Sequence, residues 1–511
     1  MAPQIFAFIV SYPSTSVRVT SALARREQLN FWLCRPGACA DFSGYARASK
    51  GRHFATTTAA GYPCCLIGRG TDMAKKSLAE LYGGHLKEVM ARADRALNAG
   101  SYDGLITCSG SQVYYYLDDS TYPFRPNPRY RAWLPDTSPD CFIVHRPGGR
   151  PKLVFTQPDD YWYLPPEHPE GYWVGHFDLE IVRSPAELRR LAGTARWAVL
   201  GEPGPATEGL GDHDPPAVTG PLDHARAAKT PYEIECMALA TVAGVRAHRA
   251  AEKAFRAGAT EYEVHLAYCQ AAGAREEELP YNNIIGYGRH AAVLHYQVLD
   301  RERQAGVKSF LIDAGAQHAG YACDITRTYS AEAGEFLELI RSVDAAQQKL
   351  AARVLPGVDY RDIHLEAHRS IAAILVTHGI VSGTREAAVE SGLTSVFFPH
   401  GIGHLLGIMV HDASGFAAAP TGGTLEKPEG HPYLRLTREL EPGFVVTIEP
   451  GVYFIDSLLE AARADGRGRA IDWKRVEALR PFGGIRIEDN VVAQAGAPPR
   501  NLTREAFAAG D

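Results

Sequence analysis

Four short stretches of this chain set acids and imidazoles in apolar flanks. The first, Ser309 to Tyr329, reads SFLIDAGAQHAGYACDITRTY. Two alternating apolar runs flank a polar centre with Gly315 and Gly320, the pattern of a β-hairpin. Folded between His318 and Ala319, it sets Asp313 opposite Asp324, on one face with Cβ atoms roughly 5 Å apart. Two carboxylates that close repel by about 3 kcal/mol at an effective dielectric of ~20. A solvated hairpin with two incidental acids is the plain alternative. The apolar neighbours Leu311, Ile312 and Ile325 favour burial instead, and with it a metal cation.

The second stretch, FFPHGIGHLLGIMVHD from Phe397 to Asp412, carries His400, His404 and His411. Its four-residue histidine spacing is not the zinc-protease helix signature. Gly401 stands where that signature needs Glu, and glycines at 401 and 403 disfavour a helix. Thr447 to Gly451 (TIEPG) contributes Glu449. Ile485 to Asn490 (IRIEDN) alternates so that Arg486 and Glu488 share a face. Singly, each is a satisfied core histidine or a solvated glutamate. Together they supply four carboxylates and an imidazole, an oxygen-rich set that suits Mn²⁺, Co²⁺ or Fe²⁺ better than a thiolate zinc site does. Four negative charges also balance two divalent ions. That implies a dinuclear centre able to hold a hydroxide nucleophile between ions roughly 3.5 Å apart.

The elements that must position these residues fall into two domains. Residues 1–72 hold four of the nine cysteines and little periodicity, and read as a disordered extension or as the product of an upstream start codon, with Met73 the true beginning. Residues 73–225 open with an amphipathic helix over 75–97. Short strands at 104–107, 141–144, 153–155 and 197–200 follow, an α/β domain. Within it, Tyr114 to Leu134 (YYYLDDSTYPFRPNPRYRAWL) is aromatic enough to be core or interface. Gly201 to Leu222, rich in Gly and Pro, reads as a long loop. Residues 226–511 open on Thr230-Pro231-Tyr232-Glu233, a capping box with proline at the first helical position. Helical patterns at 261–272, 336–354 and 362–378 alternate with hairpin-like strands at 309–329, 444–454 and 484–492. Helices covering one curved antiparallel sheet make this an α+β domain.

Composition narrows the function classes. At 511 residues, 45% hydrophobic and 22% charged, the chain has the make-up of an ordinary globular protein. A net charge of -6 without a long basic run argues against nucleic acid as a partner, and no run of 18 apolar residues points to a membrane. Nine cysteines without a CxxC pair fit a reducing compartment, the cytoplasm by default.

The motifs LIDAGA, CDITRTY, HGIGH, TIEPGVY and IRIEDN, taken in this order, resemble the pita-bread metallopeptidases. Within them the chain is similar to the bacterial Xaa-Pro dipeptidase (prolidase) branch, which includes organophosphorus acid anhydrolases. The resemblance runs from about Met73 to the end and includes LDDSTYPFRPNPRYRAWLP. It implies a pita-bread catalytic domain, two divalent ions (Mn²⁺ foremost, with Co²⁺, Fe²⁺ or Zn²⁺ compatible) and hydrolysis of trans Xaa-Pro dipeptides by a bridging hydroxide. Organophosphate triesters are an implied side substrate. By resemblance, Asp313 and Asp324 hold one ion with Asp324 bridging, His404 and Glu449 complete the second site, and Glu488 bridges both. Glu449 would also shuttle the proton, while His411 and His400 stabilise the intermediate. Arg435 would clamp the proline carboxylate, His295 would close over the substrate, and Arg486 would orient an acidic ligand. Tyr281, Tyr360 and Leu434 would line pockets, and Asp119 would reach the substrate amine from the second subunit of a homodimer. The rival readings are an Xaa-Pro aminopeptidase acting on longer peptides, and a metal-free pita-bread binding module.

Overall fold

The computed structural model describes residues 68–510, with side chains from Leu78 onward. Most of the segment read as an extension, residues 1–67, lies outside the described residues. A helix over Gly68–Gly100 covers the amphipathic pattern and starts ahead of Met73.

A six-stranded mixed sheet follows. Its strands are β1 (Gly104–Cys108), β2 (Phe142–His145), β3 (Lys152–Thr156), β4 (Asp178–Val182), β5 (Trp197–Leu200) and β6 (Gly211–His213), in the order β4-β3-β2-β1-β5-β6. The four strands legible from composition are all present. The Gly/Pro-rich stretch 201–222 is not one long loop, because it holds β6 and the start of a helix over Pro216–Ala225. Pro216 occupies the first turn of that helix, where its missing N–H leaves no bond unmade. Tyr82, Leu86 and Leu97 share one core with Tyr232, Met237 and Tyr321, so apolar packing is continuous into the second half of the chain.

There, Thr230 caps the helix over Pro231–Arg256 as expected. The Glu233 N–H donates to Thr230 Oγ1, and the Thr230 N–H donates to Glu233 Oε2 at 2.7 Å. Behind this helix lie β7 (Ile284–Tyr287), β8 (Ser309–Asp313), the short pair β9 (Gln317–His318) and β10 (Tyr321–Ala322), and β11 (Thr326–Ser330), in the antiparallel order β11-β8-β7.

The hairpin forms, but its register differs from the expected one. Asp313 pairs with Thr326, and Tyr321 pairs with His318. The turn therefore centres on Ala319 (φ 50°) and Gly320 (φ 90°), two left-handed residues that match the twist of the flanking strands. Asp324 is thus diagonal to Asp313, not opposite it. A shift of two residues keeps every side chain on its face, so both acids still point the same way.

A small hairpin, β12 (Ala417–Ala419) and β13 (Gly422–Thr424), precedes the last strands. The stretches 444–454 and 484–492 are not two hairpins; they pair with each other. β14 (Val445–Ile448) runs antiparallel to β17 (Asp489–Val492), and β15 (Gly451–Tyr453) to β16 (Gly484–Arg486), while β18 (Arg500–Asn501) extends β17. Ile448 pairs with Asp489 and Gly451 with Arg486, so Glu449 and Glu488 fall level where the ladder opens around Pro450.

Candidate metal centre

Thr326 joins the two halves of the curved sheet, pairing with Asp313 on one side and bridging to Glu488 on the other. The far wall is the extended segment through His404. The Thr447 N–H donates to His404 O at 3.0 Å, and the Glu449 N–H to Ile402 O at 2.8 Å. No helix forms across His400 and His404, as the glycines foretell. Gly403 has φ 152°, and a Cβ there would lie 2.3 Å from Thr447 O, so only glycine lets the two backbones meet.

Asp313, Asp324, His404, Glu449 and Glu488 converge on one cavity of about 750 Å³, and His295, His400, His411, Arg435 and Arg486 line it too. Ligand atoms of Asp324, His404 and Glu488 lie within 4.8 Å of one another. His404 Nε2 stands 3.5 Å from Asp324 Oδ2 and 3.8 Å from Glu449 Oε1. The His404 Nδ1–H donates to Leu405 O at 3.0 Å, which leaves Nε2 as the nitrogen facing the acids.

The electrostatics are those of a crowded anionic site. Burial pushes the Glu449 carboxyl up to about 7 and holds Glu488 well above the usual carboxylate range. Asp313 is raised as well, because burial outweighs its ion pair with Arg486 (2.6 Å). Burial also acts to raise Asp324, but the His404 bond and charge outweigh it and bring Asp324 below its ordinary value. Burial opposes charge on His404, yet Asp324 draws its pKa upward. Four carboxylates held this close, with one guanidinium and one imidazole among them, fit two divalent ions, whose binding would displace these protons.

Arg486 and Tyr453 tie the acids together. Arg486 donates from Nη2 to Asp313 and from Nη1 to the Tyr453 hydroxyl at 2.9 Å. Tyr453 in turn lies 2.8 Å from His400 Nε2, while His400 Nδ1 lies 2.8 Å from Gly401 O. Both His400 nitrogens are thus engaged, and the ring packs behind Glu449, 3.6 Å from its Oε2. Tyr281 does more than line a pocket: its hydroxyl is 2.8 Å from Asp313 Oδ1 and 2.5 Å from Asp324 Oδ1. It opens onto an adjoining cavity of about 1050 Å³ that shares His295, Asp313, Asp324 and His411 with the first.

Two of the anticipated pocket residues line neither cavity. Tyr360 is fully buried and donates to Thr447 O at 2.7 Å, behind the wall and not in it. Leu434 is fully buried with its backbone against Gly401, supporting that wall from outside. Both lie in the core because their apolar bodies complete it. Asp119 is exposed at the tip of an aromatic arm and lines neither cavity of its own chain.

Several supports escape the motif reading although they stand inside the same motifs. Thr326 donates to Glu488 Oε2 at 2.7 Å. Asn490 grips the Asp324 backbone, accepting from its N–H at 2.9 Å and donating to its carbonyl. Tyr453 and Asn490 are polar residues in otherwise apolar strands, and that is the signal that could have found them.

The chain belongs to metallopeptidase family M24, whose sequence profile matches residues 235–495. Within that family it is of the bacterial prolidase type: the profile of the Xaa-Pro dipeptidase N-terminal domain matches residues 80–224. An Xaa-Pro dipeptidase of Xanthomonas campestris pv. campestris (strain B100) is 52% identical over 441 residues, covering 86% of this chain and 100% of the relative. One of Stenotrophomonas maltophilia (strain K279a) is 51% identical over 443 residues, with coverage of 86% and 100%. Among solved structures, zinc-substituted Escherichia coli aminopeptidase P in complex with product superposes with TM-score 0.63 at 22% identity, covering 82% of this chain and 95% of that one. The low-pH form of the same enzyme matches equally at 23% identity. These structures share the pita-bread fold.

Proposed function

We infer that the enzyme hydrolyses Xaa-Pro dipeptides in a metal-dependent reaction, and that it does so with two ions. The observation that carries this reading is the convergence of four carboxylates (Asp324 and Glu488 buried, Asp313 and Glu449 half-buried) and His404 on a cavity whose rim presents Arg435. Asp313, Asp324, His404, Glu449 and Glu488 hold the ions. Their oxygen-rich character favours Mn²⁺, with Co²⁺, Fe²⁺ and Zn²⁺ as lesser fits. When bound, two such ions polarise the scissile carbonyl and supply hydroxide at neutral pH.

An Xaa-Pro bond has no N–H, so the leaving ring nitrogen must be protonated from within the site. Glu449, whose Oε2 lies 3.6 Å from His400 Nδ1 at the cavity wall, would take and return that proton. His411, whose ring meets His404 edge-on at 4.3 Å, faces the developing oxyanion. His400 holds Glu449 from behind. Arg435 is exposed in the cavity and pairs with no carboxylate among the described residues, which leaves its planar fork for the proline carboxylate. A third residue on the substrate would leave that guanidinium unpaired, which sets the length limit. His295, exposed and lining both cavities, caps the substrate, and Tyr281 fixes the spacing of Asp313 and Asp324.

The enzyme works as a homodimer in the cytoplasm, with Asp119 reaching the substrate amine of the partner subunit. Support comes from Tyr116 and Leu117, each 90% exposed on the arm that carries Asp119, and from the free thiols Cys108, Cys141, Cys236, Cys269 and Cys323 among the described residues. Organophosphate triesters, tetrahedral at phosphorus, are a secondary substrate of the same centre. Assays of Ala-Pro against Ala-Pro-Ala, with Mn²⁺ and with chelator, test the main reading. Turnover of Ala-Pro alone, abolished by chelator, is expected. Turnover of only the tripeptide, or none with any metal, would overturn it.

A further inference from the structure

Behind the cavity wall lies a second cluster of metal-ligand side chains, which the peptidase reaction does not use. His364 and His368 stand one turn apart on the helix over Tyr360–Thr377, a spacing that puts both on one face. His431 comes from the loop that runs directly into Arg435. The three rings meet pairwise, with centroids 4.8 Å (His364–His368), 4.7 Å (His364–His431) and 4.4 Å (His368–His431) apart. One nitrogen from each falls within 4.8 Å of the other two.

The surroundings are those of neutral donors. Burial, reinforced by the neighbouring imidazoles, pushes His364 down to about 2 and His368 down to about 3, and burial lowers His431 too. No carboxylate pairs with any of the three among the described residues. His364 Nε2 lies 3.0 Å from His431 Nδ1, a contact that one proton can satisfy. The other nitrogen of His364, in a residue only 1% exposed, is buried without a partner. Such an orphan costs about 1–3 kcal/mol. His368 Nδ1 sits 2.9 Å from Thr394 Oγ1, the outer bond that fixes a ligating imidazole and leaves Nε2 for a cation. His431, half-buried, gives the cluster access to solvent.

We propose that His364, His368 and His431 form a third metal site that takes one Zn²⁺ and pins the Arg435 loop to the helix over Tyr360–Thr377. Three imidazoles leave a fourth position for water, as in an open zinc site. Nitrogen donors select Zn²⁺, whereas the oxygen-rich centre favours a harder ion, so the two sites sort metals by donor type. The pinning half rests on the reading of Arg435 as the carboxylate clamp; the metal site itself does not.

The test uses the full chain loaded with Mn²⁺, titrated with Zn²⁺ against a chromophoric chelator and then desalted for metal counting by mass spectrometry. Wild type retains one Zn²⁺ above its Mn²⁺ complement. His431→Ala, a change on a half-buried loop, loses that one ion with Mn²⁺ unchanged. Thr394→Val weakens zinc binding by about 10-fold. His431→Cys, which restores a ligand, recovers the ion. Removing the zinc from wild type raises KM for Ala-Pro several-fold with kcat unchanged. Equal zinc retention in wild type and His431→Ala, or zinc that enters only by displacing Mn²⁺, overturns the site. An unchanged KM on zinc removal overturns the pinning. A Mn²⁺ count other than two bears on the dinuclear centre alone, because the zinc readout is a difference of one.

Discussion

Asp313 and Asp324 share the Tyr281 hydroxyl, yet their environments push them apart. His404 brings Asp324 below its ordinary value, whereas burial raises Asp313 by more than its ion pair with Arg486 lowers it. Asp324 also belongs to the trio with His404 and Glu488 whose ligand atoms lie within 4.8 Å of one another. Asp324→Asn should therefore strip metal and activity together. A fall of more than about 1000-fold in kcat/KM is expected, since lost Lewis-acid stabilisation amounts to several kcal/mol. The variant should still fold, because the substitution also removes a repulsive charge. Metal content alongside a thermal melt checks this, and an active, metal-loaded variant would refute it.

At the scale of elements, the helix over Pro231–Arg256 braces the end of β8 through His248, whose Nε2 is 2.9 Å from Ala314 O. Tyr268 meets the ring edge-on, Arg327 and Asp324 act on it at longer range, and its Nδ1 is buried without a partner. Burial pushes its pKa from 6.5 down to about 4. The unfolded chain binds this proton below pH 6.5 and the folded chain resists it until about pH 4, so stability falls on acidification across that window. The loss approaches about 3 kcal/mol. His248→Gln keeps a donor for Ala314 O but cannot ionise. Urea unfolding at pH 6.5 and 4.5 should show a shallower pH slope in this variant, and an unchanged slope would assign the acid sensitivity to other groups.

At the scale of the molecule, the aromatic arm is the longest run of exposed large apolar side chains among the described residues. Tyr116 and Leu117 are exposed beside Tyr161, Trp162 and Leu164, and the Tyr163 hydroxyl donates to Asp119 O at 3.0 Å, joining the two loops. This patch is the face we propose for the second subunit of the dimer. On the proposed dimer, Tyr116→Asp combined with Leu117→Asp should give monomers in light scattering and lower kcat/KM on Ala-Pro by at least about 10-fold, the scale of one lost polar contact to the substrate. A wild-type chain that is monomeric at assay concentration would sink the shared-site idea.

The sequence by itself determined which acids and imidazoles gather at the cavity, the capped helix at Thr230, the strands around the acidic motifs and the face each acid takes. Caps, alternation and glycine breaks act over a few residues, so they can be read locally. Only the tertiary structure decided the rest. A turn at Ala319 and Gly320 moved the hairpin register by two, and 445–453 paired with 484–492 across an intervening helical segment, bringing Glu449 level with Glu488. Tyr360 and Leu434 went to the core, while Tyr281, Tyr453 and Asn490 came in to hold the acids. His431 met His364 from 67 positions away. Partners so far apart in the chain are chosen by packing and by the need to satisfy buried charge, and neither leaves a local periodicity to read.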